Sequence, residues 1–180
     1  MNILFLTAHP PVLNMHGGGV RMYHNIRILA LKHSVRVISF FENDEEREAL
    51  NSLQGVCDSA IGILRRPEYA PHWFSLAPFL IHEFDLPEMR AAVDREIRAR
   101  KPDVIQCEYL QMAQYRRDGI FSVLTLLEML SQNAGDTFAR ENEPVEKLRM
   151  FHRWMGMLNC EIGAARRVNR VVTMTENDAR

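Results

Sequence analysis

The chain has 180 residues, 47% of them apolar and 25% charged, which fits one globular domain with a core of its own and excludes a largely disordered chain. Lys and Arg number 22 against 23 Asp and Glu, so no net field would draw it to nucleic acid or anionic lipid. Three cysteines, Cys57, Cys107 and Cys160, stand without motif spacing, which argues against a disulfide framework or a structural zinc site and for a reducing, cytoplasmic setting.

Residues 3–7 form a short apolar run that stops at Ala8-His9-Pro10-Pro11, as a strand buried on both faces does. A loop ending in His16-Gly17-Gly18-Gly19 leads into helical spacing that runs to about residue 33. Residues 34–41, rich in β-branched side chains, read as a second strand. Asn43-Asp44-Glu45-Glu46 then caps and charges a second helix, which Gly55 ends. Residues 56–64 are the third strand. Residues 73–84 form an aromatic stretch, broken by Pro78, that suits core packing, a partner surface or a lipid-linked acceptor.

A helix is expected over 86–100, with Pro87 near its start and basic residues in its last turn. Strands over 104–108 and 121–127 flank a short helix over 110–117. Residues 131–143 read as a polar, mobile loop. Val145, Leu148, Phe151, Met155, Leu158, Ile162 and Ala165 recur every three or four residues, so a long helix is expected to turn this stripe to the core. Residues 170–175 make a sixth strand, and Thr175-Glu176-Asn177-Asp178 has the form of a helix cap.

Strands alternating with helices predict an α/β, Rossmann-like, mostly parallel sheet with helices on both faces. Ligands of such sheets bind at the carboxyl ends of the strands. Three segments resemble the N-terminal domain of retaining GT-B glycosyltransferases of the group 1 family. The opening strand with Pro10-Pro11 and Gly17-Gly18-Gly19 resembles the family's first strand and glycine loop. Lys101-Pro102-Asp103-Val104-Ile105-Gln106 is similar to its "PDVIH" strand, and residues 167–176 to its "ADRVVAVSE" segment.

The resemblance implies that residues 1–180 are one acceptor-side domain, with the donor-binding C-terminal domain absent and the isolated chain inactive. It implies a nucleotide-sugar donor and a glycan or lipid-linked acceptor, in polysaccharide or glycolipid assembly. It implies a cytoplasmic protein, in one variant peripheral to the inner membrane face, with no cofactor and no nucleic acid partner. No Asp-x-Asp motif calls for a metal. The face turned to the missing domain would be open to a homodimer. The alternatives are a non-catalytic partner-binding module and one half of a sugar-nucleotide epimerase. Gln106 and Leu127 stand where the family often has histidines, so no catalytic residue carries over.

The candidate ligand-binding residues are His16, Gly17, Gly18, Gly19, Arg21, Glu108, Tyr109 and Glu128. Glycines between a strand and a helix let N–H groups approach a phosphate, or simply make a flexible turn. Met22 stands where a dinucleotide fingerprint would have its third glycine, and no Gly-Lys-Ser/Thr follows. Arg21 would pair with phosphate or be solvated. Glu108 and Tyr109 would reach acceptor hydroxyls, or Glu108 would cap the next helix; Glu128 has the same two uses.

Overall fold

The computed structural model describes residues 1–13, 17–66 and 78–175. Six strands, β1 (Asn2–Thr7), β2 (Ser34–Phe41), β3 (Ser59–Leu64), β4 (Val104–Glu108), β5 (Phe121–Leu126) and β6 (Arg170–Thr173), build one sheet in the order β3-β2-β1-β4-β5-β6. Every pairing is parallel. The expected Rossmann-like α/β architecture is therefore the one observed.

Strand parity decides the core. Ile3, Phe5, Val35 and Val37 point to one face, where α1 (Gly17–Ala30) and α2 (Asp44–Asn51) contribute Ile26 and Leu50. Leu4, Leu6, Ile38, Phe40, Ile105 and Leu124 point to the other. There α4 (Pro87–Ala99) adds Met89 and Val93, and the 3-10 turn Leu110–Tyr115 adds Met112 and Tyr115. Full burial of each large apolar side chain contributes about 1.5–3 kcal/mol, so these two layers dominate the stability.

Local chemistry sets the boundaries. Asn43 accepts from the Glu46 amide at 2.8 Å, and Glu46 accepts from the Glu42 amide at 2.6 Å, which fixes the start of α2. Arg36, almost buried on β2, donates to the Glu96 carboxylate at 2.7 Å and its carbonyl at 3.0 Å, tying α4 to the sheet. Tyr115 accepts from the Leu86 amide at 2.9 Å and donates to the Phe84 carbonyl, which anchors the entry to α4 behind the short α3 (Phe79–Glu83).

Three expectations are corrected. Residues 131–143 are not a loop: α5 (Leu130–Arg140) occupies most of them. Its helix is held at the start by Glu161, whose carboxylate accepts from the Ser131 amide at 3.2 Å and from its hydroxyl, and along its side by Trp154, which packs under Gly135. The third strand begins at Ser59, because the turn around Gly55, with φ +88°, occupies the preceding residues. The long helix exists as α6 (Pro144–Arg167), but Val145, Leu148, Met155 and Ile162 of its stripe are exposed, while Phe151 meets Phe138 of α5 and Leu158 and Ala165 are half-buried. Gly156, Met157, Glu161 and Ala164 face inward instead. The aromatic stretch lies outside the described residues over 73–77, as do His16 and residues 176–178.

Candidate functional site

The chain runs leftward through β1, β2 and β3 and rightward through β4, β5 and β6, so the switch of direction falls between β1 and β4. A crevice opens at the carboxyl ends of such a pair. The register places Ser39, Thr7, Glu108 and Thr125 side by side across β2, β1, β4 and β5, all on the face that carries α1. All four are buried, in a row that is wholly polar where the row before it, Val37, Phe5, Gln106 and Val123, is apolar but for Gln106. This row is the natural candidate site.

Glu108 is the last residue of β4 and only 1% exposed. Arg21, in the second turn of α1, forms an ion pair with it. Gln106, one pleat back on the same face, donates to Glu108 at 3.1 Å and to the Thr125 hydroxyl at 2.7 Å. Burial nevertheless pushes the Glu108 carboxyl above its ordinary range, against the pull of Arg21 and of its hydrogen bonds. The Thr7 hydroxyl and the Arg21 Nε are buried without a hydrogen-bond partner. A polar ligand atom at the strand ends would relieve that cost.

The glycines begin α1: Gly17 is exposed, Gly18 half-buried and Gly19 buried. The first turn of a 14-residue helix presents N–H groups and the positive end of its dipole there. No acidic residue in that turn competes for the site. Below α1 a cleft of about 320 Å³ is lined by Arg21, Asn25, Gln106, Glu108 and Thr125 on its polar side and by Phe5, Ile28 and Val172 on its apolar side.

Tyr109 follows Glu108 with φ +80° and ψ 151°, a backbone region almost confined to glycine. Its ring meets that of His9 edge to face at 5.6 Å, and His9 meets Phe84 likewise at 6.0 Å. Burial pushes the phenol up to about 12, with the charges of Arg21, Glu108 and Glu128 also acting on it. Glu108 does not cap the following turn: Tyr109 holds the cap position and makes no side-chain cap bond. Glu128 lies just past β5, exposed, and accepts from Asn133 of α5 at 3.2 Å. The structure thus gathers Arg21, Glu108 and Tyr109 at one point, with α1's glycines above, and sets Glu128 at the rim.

Ser39, Thr7, Thr125 and Gln106 were not legible as site residues one by one. Their signal is parity: each lies on the helix-α1 face near the carboxyl end of an otherwise apolar strand. Cys107, beside Glu108, points to the opposite face, and burial pushes its thiol up to about 12, so it is no nucleophile at neutral pH. Among the described residues no three His, Cys, Asp or Glu side chains gather as a metal site, and no helix is long and apolar enough to cross a membrane.

No family model matches the sequence, and no curated protein matches it. Solved structures do match in fold. Sucrose-phosphate synthase from Thermosynechococcus elongatus superposes with a TM-score of 0.61 at 11% identity, covering 99% of this chain and 44% of that one. Phytolacca americana UGT2, complexed with UDP-2-fluoroglucose and pterostilbene, gives a TM-score of 0.61 at 12% identity, covering 98% and 48%. Arabidopsis thaliana UGT89C1, complexed with quercetin, gives 0.52 at 14%, covering 98% and 44%. The chain therefore spans less than half the length of the structures it matches, and it has the architecture of one half of a GT-B fold.

Proposed function

We propose that this chain is the acceptor-side half of a glycosyltransferase that moves a sugar from a nucleotide-sugar donor to a glycan or lipid-linked acceptor. The observation that supports the reading most directly is the buried polar row Ser39–Thr7–Glu108–Thr125 at the strand ends, beneath the glycine start of α1. In this reading the start of α1 at Gly17 and Gly18 faces the diphosphate of the donor, where helix N–H groups stabilise the charge that develops on the leaving group. Arg21, in the same reading, is held in an ion pair rather than standing as a free cation. Its charge is neutralised by Glu108, and its part is to hold α1 in place over the strand ends. Glu108, Thr7 and Gln106 offer hydrogen-bonding groups of the kind that orient acceptor hydroxyls.

The test is a titration of the labelled 180-residue chain with pyrophosphate and with UDP-glucose, read by amide NMR shifts. The expected result is a saturable shift confined to Gly17–Gly19 and the ends of β1 and β4, together with no sugar transfer by the chain alone. Shifts elsewhere, or none at millimolar ligand, would overturn the proposal, and so would transferase activity of the isolated chain overturn its assignment as a half-enzyme.

A further inference from the structure

The cleft below α1 extends beyond the point where a diphosphate would meet the helix start. Arg21, Asn25 and Ile28 follow one another at helical spacing, so they share one side of α1, and all three line the cleft. Gln106 of β4 and Thr125 of β5 line it from the sheet, and Val172 of β6 borders it.

Two carboxamides are the hydrogen-bonding groups it offers. The Gln106 nitrogen donates both to Glu108, at 3.1 Å, and to the Thr125 hydroxyl, at 2.7 Å. A carboxylate only accepts, so this amide has one possible orientation, and its carbonyl is the group left for the cleft. Asn25 is half-buried, and among the described residues no hydrogen bond engages its side chain. The sheet therefore contributes an acceptor, and the helix a donor together with an acceptor.

Charge narrows the ligand. Arg21 and Glu108 are the charged residues of the lining, and they neutralise each other in an ion pair. An anion would find no spare cation there, and a cation no spare carboxylate, so either would lose hydration without replacement. Hydroxyl groups suit the two carboxamides, because each hydroxyl both donates and accepts. The apolar side has its own requirement: Ile28 and Val172 are 63% and 44% exposed, and a ligand with one apolar face would cover them. A cleft of about 320 Å³ stands at the small end of ligand sites. A hydroxyl-bearing edge, a C–H face, small size and no charge together describe a pyranose ring.

We propose that this cleft seats an uncharged sugar ring of the acceptor, its hydroxyl edge on Asn25 and Gln106 and its C–H face on Ile28 and Val172. The proposal rests on the transferase reading and adds to it the class of acceptor, a neutral saccharide, whether a free glycan or the head group of a lipid.

The labelled 180-residue chain is titrated with methyl β-D-glucopyranoside, methyl β-D-galactopyranoside and methyl α-D-mannopyranoside, read at the side-chain amides of Asn25 and Gln106. At least one should give saturable shifts, with a Kd on the order of 10 mM and little dependence on salt. The uronate or 6-phosphate of the ring that binds should bind at least roughly tenfold more weakly. Asn25→Leu should abolish the saccharide shifts while far-UV circular dichroism stays native. The octyl glycoside of the same ring, kept below its micelle concentration, separates the sources: tighter binding than the methyl glycoside identifies a lipid head group, equal binding a free glycan. No shift at those amides up to about 100 mM overturns the proposal. So does equal affinity for the charged ring, and so does unchanged binding by Asn25→Leu. Pyrophosphate shifts at Gly17 and Gly18 with a silent cleft would remove this inference alone. Saccharide shifts with a silent α1 start would remove the transferase reading and leave the cleft a saccharide site.

Discussion

The sheet centre and helix α6 carry equally clear hydrophobic patterns, and the molecule uses them in opposite ways. In β1 and β2 every apolar residue of the inner rows is covered, by helices on both faces. In α6 much of the apolar stripe, Val145, Leu148, Met155 and Ile162, looks out, and the side against the domain is built from a glycine, a methionine, an alanine and a carboxylate. Close approach explains the inward side. Small residues let a helix lie near its neighbours, and Glu161 is tolerated there because its oxygens satisfy the start of α5. A periodic stripe shows that a surface wants cover; it does not say that the same domain supplies it.

The sharpest break between the two regions should come from truncation. Phe40→Ala, in the covered layer, is expected to lose about 3–5 kcal/mol of unfolding free energy in urea titrations. Arg21→Ala leaves Glu108 buried without its partner, and about 3 kcal/mol should be lost at pH 7. The loss should shrink toward pH 4, where the carboxyl takes a proton, and a pH-independent loss would contradict the charge argument.

The wild-type pair gives a finer pH test. The fold holds the Glu108 carboxyl above its ordinary 4.5, so the protonated form is the one favoured by folding. Its contribution is fully present below 4.5 and declines as pH rises through the native value. Wild type compared with Glu108→Gln should therefore lose relative stability across that window. Where α6 meets the start of α5, Glu161→Ala should cost about 1–3 kcal/mol and release hydrogen-exchange protection first in α5. The smallest effect is expected on the stripe: Leu148→Ala, at a 70% exposed position, should stay within about 0.5 kcal/mol.

Much of this was readable from the residues. Runs such as 3–7 and 34–41 are apolar on both parities, which only a sheet covered on both faces accommodates, so β1 and β2 were plain. Asn43 with Glu46 announced α2 by its own hydrogen-bonding chemistry. The polar composition of 131–143 concealed α5, because its helix depends on contacts from Trp154 and Glu161, far along the chain. At the site, Glu108 and Arg21 were each visible as candidates, but their pairing across 87 residues was not. Thr7 and Thr125 looked like ordinary strand residues until the register aligned them.

The backbone at Tyr109 has a mechanical consequence. A non-glycine residue in that conformation stores about 1–3 kcal/mol, which surrounding contacts must balance. Its ring stacks edge to face on His9, in the segment leaving β1. Its amide donates to the Thr125 carbonyl of β5 at 3.0 Å, and its own carbonyl accepts from the Met112 amide at 3.1 Å. The strained residue is therefore pinned from three sides, and it fastens the ends of β1, β4 and β5 to one another at the rim of the crevice.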